Sequence, residues 1–393
     1  REFRLAEGDA FSTAKVRRSQ QRLRNLGFFE KVDVSAAPGS APDKTNLEVQ
    51  VVEQSTGEIS FGAGYSTTAG IVGDIAVKER NLLGKGQEAR LGLSIGTLST
   101  SIDLGFTEPY FMDREISAGF DVFWTSNDRQ NIASYSDRSL GFALRTGWAY
   151  SENIRQLARY TLRQTDIYNV QPWASSIIQQ NAGNQVVSEL SETIIWDTRD
   201  QRLNTTKGFM IRNTIAAAGL IGTEQYLRTT ADAVYYRSLF EDVVISIGGS
   251  AGLIYPFNNS YIRLNNLFFI GGDTLRGFAV GGIGPRDANT TDSIGGQFYY
   301  TATTELSYPL PLVPKEVGLL GKAFVDIGSL WGVQAESYGL ASVLTSQLMR
   351  VSTGVGIQWV SPFGPIRIDY AIPLQYESWD KQQAVRFSFG TRF

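Results

Sequence analysis

The side chains available for chemistry in this chain include neither imidazole nor thiol, because it contains no histidine and no cysteine. A nucleophile–histidine triad and a thiolate or imidazole metal site are therefore excluded. What remains is charge pairing. Asp197, Arg199, Asp200 and Arg202 form a mixed-charge run suited to local ion pairs. Asp273, Asp287 and Asp292 could attract calcium together, but their spacing matches no dedicated calcium loop. The net charge of −3 is spread over mixed signs and offers no nucleic-acid surface. The sequence thus predicts no catalytic residue, no metal, no cofactor and no nucleic-acid partner.

The elements that must position these charges are strands. From Thr56 onward the apolar period is two. Ala89, Leu91, Leu93 and Ile95 alternate with polar or small residues, as do Ile116, Ala118, Phe120, Val122 and Trp124, and later Ile366, Ile368, Tyr370 and Ile372. Sixteen such segments are expected near 57–65, 71–80, 86–96, 99–107, 115–125, 134–149, 153–168, 187–197, 208–218, 224–239, 243–254, 297–308, 318–329, 349–360, 365–375 and 383–393. Many exceed the length common in soluble sandwiches, and their second face carries charge and glycine rather than a second apolar set. A closed barrel in lipid explains both features, since its ladder has no open edge to leave unsatisfied. No apolar run is long enough for a membrane helix. The fold class expected is a 16-stranded antiparallel transmembrane β-barrel over 55–393, preceded by a small α/β domain over 1–54. The rival is a large soluble β-protein.

In the small domain, Ser12 caps a helix running from about Thr13 to Leu26, with Val16, Leu23 and Leu26 as its buried stripe and Gly27 as its stop. Strands are expected over Phe28–Val34 and Asn46–Glu53, and Glu2–Leu5 reads as the tail of an earlier strand. About 50 residues is marginal for independent stability, so the domain is expected to be incomplete or braced. The start, Arg1-Glu2-Phe3-Arg4, has no apolar core and is not a signal peptide. An exported protein would then begin here after processing, or as part of something longer.

Short connections at Tyr150–Asn153, Phe240–Asp242 and Ser361–Gly364 alternate with long ones at 126–133, 169–186, 255–296, 330–348 and 376–382. That asymmetry predicts short periplasmic turns and longer outer loops. The exceptions are minimal outer links at 66–70 and 97–98 and a long inner one at 198–207. Alternation also sorts faces. Ala323, Val325 and Ile327 point to lipid, so Phe324, Asp326 and Gly328 point to the lumen, and the same logic turns Glu305 inward. The first strand holds Ile59, Phe61, Gly62 and Gly64, and the last holds Phe387, Phe389 and Phe393. These two must close on each other, and a glycine-containing first strand zips weakly. Either the strands simply twist there or the seam is a gate.

Further runs carry a resemblance. Arg22-Leu23-Arg24-Asn25-Leu26-Gly27-Phe28-Phe29 and the generic Glu7-Gly8-Asp9 lie in the small domain. Asn81-Leu82-Leu83-Gly84-Lys85-Gly86, Thr107-Glu108-Pro109-Tyr110-Phe111, Trp196-Asp197-Thr198-Arg199-Asp200 and Gly271-Gly272-Asp273-Thr274-Leu275-Arg276-Gly277-Phe278 lie in the barrel. On these, essentially the whole chain resembles the BamA family of outer-membrane protein assembly factors, covering the last of five periplasmic POTRA domains and the barrel. The resemblance implies that the sixth outer loop folds into the lumen. Its tip would be Leu275-Arg276-Gly277-Phe278, and Arg276 would pair with the acidic segment Phe324-Val325-Asp326-Ile327-Gly328 and with Glu305. The alternative is an ordinary constriction loop of a porin.

The resemblance further implies that the protein is not an enzyme. It would sit in the cell outer membrane with its N-terminal domain in the periplasm, and fold and insert β-barrel proteins without ATP. Its partners would be unfolded outer-membrane clients, assembly-machinery lipoproteins, outer-membrane lipids and periplasmic chaperones. Three devices are expected: POTRA edges that hold a client by β-augmentation, a seam between 57–65 and 383–393 that opens laterally, and a narrow apolar belt that thins the bilayer there. A cross-link from Gly62 to a residue near Phe389 is the trial of the gate. The rival readings are a TamA-like or two-partner-secretion pore, a passive porin, and an outer-membrane lipase or protease.

Overall fold

A computed structural model describes residues 2–3, 5–202, 204–240, 242–311, 313–334, 341–361 and 364–390. The chain divides into two compact units, residues 1–59 with 77–90 and residues 60–76 with 91–393.

In the N-terminal region, helix α1 (Thr13–Asn25) starts at Ser12, whose hydroxyl accepts from the Lys15 amide at 3.4 Å. It ends at Leu26 before Gly27, which adopts φ +68°. Strands β1 (Phe29–Pro38) and β2 (Thr45–Glu53) form an antiparallel pair. Two expectations are corrected. The fully buried helix residue is Ser19 rather than the apolar stripe, because Val16, Leu23 and Leu26 are only partly covered. Glu2, Phe3 and Leu5 are irregular rather than a strand tail. Val49, Val51 and Val52 stand 42%, 42% and 50% exposed, so β2 offers an uncovered apolar surface.

Sixteen strands close into one antiparallel barrel: β3 (Gly57–Ser66), β4 (Gly70–Leu82), β5 (Gln87–Gly96), β6 (Ser99–Glu108), β7 (Ile116–Asp128), β8 (Ser136–Ala149), β9 (Ile154–Tyr168), β10 (Gly183–Asp197), β11 (Gly208–Gly222), β12 (Tyr226–Phe240), β13 (Val243–Pro256), β14 (Phe298–Pro309), β15 (Leu319–Trp331), β16 (Arg350–Ser361), β17 (Gly364–Gln375) and β18 (Val385–Gly390). The alternation fixes the faces. Phe120, Val122, Ile247, Val325, Ile368 and Tyr370 are exposed outward, whereas Asp121, Glu305, Asp326 and Asp369 are buried inward. A strand slipped by one residue would exchange these sets, so the pattern also fixes register. Aromatic pairs stand at both rims: Trp196 with Phe209 at the turn end, and Phe298 with Trp331 at the loop end.

The sequence places β10 and β11 too short. They reach Gly183 and Gly222, because the outer loops continue the ladder above the apolar belt. The irregular stretch 170–186 contains a short helix, α3 (Ser176–Gln180), and α2 (Gln130–Ala133) fills the link after β7. The long inner turn 198–207 is held by Asp200, whose carboxylate accepts from the amides of Gln201, Thr206 and Lys207 and from the Thr206 hydroxyl at 2.6 Å.

The outer half of the barrel is filled. Tyr135, Ile167, Ile177, Ile178, Leu264 and Ile294 form one buried apolar cluster between loops. Ile254, Ile262, Ile270, Leu275, Phe278 and Leu330 form a second. Asp292 knits three loops, accepting from the Ser134 hydroxyl at 2.6 Å and the Ser175 amide at 2.9 Å. Burial pushes the Tyr135 phenol up to about 12.

Candidate functional site

The connection between β13 and β14 turns back into the lumen and brings its tip to the wall of β14, β15 and β16. Arg276 is 5% exposed there. Its Nε and Nη2 donate to the two oxygens of Asp326, both at 2.7 Å, and its backbone amide adds a third bond to Oδ2 at 3.1 Å. Nη1 donates to Glu305 at 2.6 Å. The guanidinium carbon lies 3.4 Å from the centroid of the Phe324 ring. That ring has room because it lies over Gly354, where a Cβ would stand 2.5 Å from it. Glu305 also accepts from Lys322 at 2.6 Å and Arg367 at 3.0 Å, and Arg367 donates to Asp369 at 2.6 Å. Three cations and three carboxylates thus neutralise one another, all buried except Arg367, whose side chain is one-third exposed. Planar, two-pronged pairing makes this contact specific for arginine rather than lysine.

Gly277 and Phe278 continue the tip as a two-residue ladder with Gln383 and Gln382, in the segment leading into β18. The Ala279 amide extends it to the Lys381 carbonyl at 2.9 Å. Gly277 adopts φ +91°, and a Cβ there would approach Ser352 Cβ to 3.1 Å. Gly277→Ala is therefore expected to cost the docked tip about 1–3 kcal/mol, read as faster amide exchange over 275–283. Leu275 and Phe278 are fully buried, and Gly328 faces Leu275 closely enough that a Cβ would lie 3.4 Å from its Cδ1.

Residues 81–393 match the Omp85 superfamily domain, and residues 1–54 match the POTRA family, a surface antigen variable number repeat. The chain belongs to the Omp85 superfamily. It is 30% identical over its whole length to the outer membrane protein assembly factor BamA of Neorickettsia risticii, covering 52% of that protein, and 29% identical to that of Nitratidesulfovibrio vulgaris, covering 48%. It therefore spans about half the length of these curated relatives. The human sorting and assembly machinery component 50 homolog is 24% identical over 96% of the chain, which covers 82% of that protein. The crystal structure of BamA from Haemophilus ducreyi lacking POTRA domains 1–3 superposes with a TM-score of 0.89 at 25% identity, over 99% of this chain and 80% of that one. This Omp85 chain is an outer-membrane protein with its N-terminal domain in the periplasm.

The seam of the Omp85 barrel lies between β18 and β3. Among the described residues, β18 meets β3 only where Ser388, Phe389 and Gly390 face Ser66, Tyr65 and Gly64, with the Thr67 amide bonded to the Phe387 carbonyl at 3.0 Å. By contrast, the β8–β9 ladder is unbroken from Ser136 to Ala149. Phe387 and Phe389 are half-buried, while Ile59 and Phe61 are 64% and 75% exposed. Gly62 lies in β3 but does not face Phe389, because the register sets Tyr65 there; Phe393 lies outside the described residues.

Several charged groups escaped the sequence reading. Arg350 and Asp380 form a fully buried pair at 2.9 and 3.2 Å, and Arg350 also donates to the carbonyls of Ser346 and Leu348. It fastens to the wall the same segment that pairs with the loop tip. Glu224, 1% exposed, anchors the loop stem by accepting from Asn266 at 2.7 Å and the Arg263 amide at 3.4 Å. Burial pushes its carboxyl above the usual range, outweighing those bonds and the nearby Arg163 and Arg263 charges. A raised folded pKa gives stability that is full below the unfolded value of about 4.3 and is lost as pH rises through the folded one. Glu224→Gln is expected to flatten that loss, measured as the melting temperature of the folded barrel against pH. The three aspartates weighed for calcium go to separate partners. Asp273 meets Arg386 and Thr68, Asp287 accepts from the Asn289 amide, and Asp292 holds the loops as above.

Proposed function

We propose that this chain is the catalytically inert core of a machine that folds β-barrel proteins and inserts them into the bacterial outer membrane. The observation that carries the reading is a loop folded into a capped lumen, its tip bonded both to the wall and to the seam strand β18. Opening is assigned to this seam, where the two ends of the barrel wall meet. Its exposed edges would then template a client hairpin by strand addition. The names borne by the relatives agree, and they too describe assembly factors. Strands also differ in length on the two sides of the wall: β3, β5 and β6 have 10 residues and β4 has 13, against 15 in β9 to β12. At about 3.3 Å per residue, the shorter side favours local bilayer thinning.

Residues 1–54 are assigned to the POTRA domain, whose exposed β2 surface suits an extended client. Arg276, with Leu275, Gly277 and Phe278, is assigned as a structural latch on Asp326, Glu305, Phe324 and Gly328. The finer partners, assembly lipoproteins, periplasmic chaperones and outer-membrane lipids, belong to the same proposal. A passive porin fits poorly, since two apolar clusters fill the outer half of the lumen. Bilayer recordings should accordingly give small, erratic openings rather than large steady ones.

The deciding experiment is reconstitution of the full-length protein carrying this chain in vesicles, with its lipoprotein partners and an unfolded barrel client. The client should become protease-resistant faster than in protein-free vesicles. Equal rates would sink the reading.

A further inference from the structure

We infer that Arg386 is a positioning residue that couples the loop-tip latch to the seam, acting through Asp273 and Thr68. Arg386 sits in β18 and points inward, its side chain only 5% exposed. Its Nη2 donates to Asp273 Oδ1 at 2.7 Å and also to the Thr68 hydroxyl. Thr68 in turn donates to Asp273 Oδ2 at 3.1 Å. Three segments far apart in sequence meet in this triad: the last strand, the turn between β3 and β4, and the loop tip three residues before Arg276.

Packing repeats the arrangement. Gly272 lies against both sides of the seam, since a Cβ there would stand 3.4 Å from Arg386 Nη1 and 3.5 Å from Thr68 Cγ2. The tip therefore touches β18 on one side of the seam and the turn that follows β3 on the other. Next to it, a chamber of about 470 Å³ runs along the inside of the seam, lined by Ser66, Ser388, Arg367 and Arg386 among others. At this end the backbone pairing runs out just past Ser66 and Ser388, its last bond going from the Thr67 amide to the Phe387 carbonyl at 3.0 Å. Beyond that bond, the side-chain bridge is what ties the two sides together at this end. Moving the tip off the wall would withdraw Asp273, and separating the strands would pull Arg386 from Thr68. Each event lowers the cost of the other, which is reciprocal coupling between two sites.

The inference rests on the seam being the moving part, as proposed above, and its test does not use client insertion. Hydrogen exchange is measured on the full-length protein in lipid nanodiscs, over 64–67 and 387–390, with β8–β9 as internal reference. Asp273→Ala and Thr68→Val each remove two of the triad's three hydrogen bonds and should each speed seam exchange about tenfold, a gain kept modest by the exposure of Asp273, and leave the reference unchanged. Arg276→Lys should also speed it, but no further when combined with Asp273→Ala. Arg386→Gln removes a buried charge and can impair folding, so Asp273→Ala and Thr68→Val decide the question. Unchanged seam exchange in both, or strictly additive effects with Arg276→Lys, would overturn the coupling. Normal coupling with no client insertion would instead count against the assembly reading alone.

Discussion

Arg276→Ala is expected to free the loop tip from the lumen wall and to abolish client insertion while the sixteen-stranded wall survives. The substitution removes three charged hydrogen bonds and the ring contact at once, and leaves Asp326 and Glu305 facing each other's charge in a buried setting. The backbone amide can still reach Asp326, but an amide does not neutralise a carboxylate. Removing one partner of a buried pair costs about 3–5 kcal/mol, most of it for the charge left behind. That is more than two orders of magnitude in the ratio of docked to undocked tip. Glu305 keeps Lys322 and Arg367, so the damage concentrates on Asp326. Two measurements check this: exchange over 275–283, which should rise sharply, and client protease resistance, which should fall to the vesicle background. The double variant Arg276→Met, Asp326→Leu tests the cause. If the stranded charge is responsible, it should redock the tip better than Arg276→Ala, because no uncompensated carboxylate remains. A tip that stays docked in Arg276→Ala would show that the ladder to Gln383 and the Arg350–Asp380 pair suffice without the latch.

Much of this site is legible in the amino-acid sequence, for an identifiable reason. A lipid-facing strand shows its period in sequence, and parity alone turns Asp326, Phe324 and Glu305 into the lumen. The same parity applies to Arg386, between the outward Val385 and Phe387, and to Arg350 beside Val351. Alternation turns those charges inward too, but it does not say which distant carboxylate each one meets. The docking of Arg276 is different. Nothing periodic marks the loop between β13 and β14, whose buried residues are held by tertiary bonds such as those of Gln334 to both backbone groups of Ile262. Only the family resemblance pointed there. Helices α2 and α3 are one turn long, below the length at which a 3.6-residue period can appear. The extra turns of β10 and β11 went unseen because above the lipid belt the outward face becomes polar and the alternation fades.

A cross-linked seam is expected to stop client insertion almost completely and to recover on reduction. The register decides where to build it. Tyr65 faces Phe389, so Tyr65→Cys with Phe389→Cys is the matched pair, whereas Gly62 is three residues out of step. Facing residues in an antiparallel ladder have Cα atoms about 4.5–5.5 Å apart, inside the span of about 4.4–6.8 Å that a disulfide bridges. Both positions lie on the lipid-facing side, away from the latch, so the bond should leave Arg276 docked. The control is a second bridge on a continuous ladder, Phe142→Cys with Leu162→Cys between β8 and β9. Oxidation there should leave insertion intact, since those strands need not part. If the oxidised seam variant inserts clients as fast as its reduced form, opening between β3 and β18 is no part of the mechanism. Clients would then have to be templated elsewhere. If only the seam bridge blocks insertion, the parting of β3 from β18 is what the barrel uses to work.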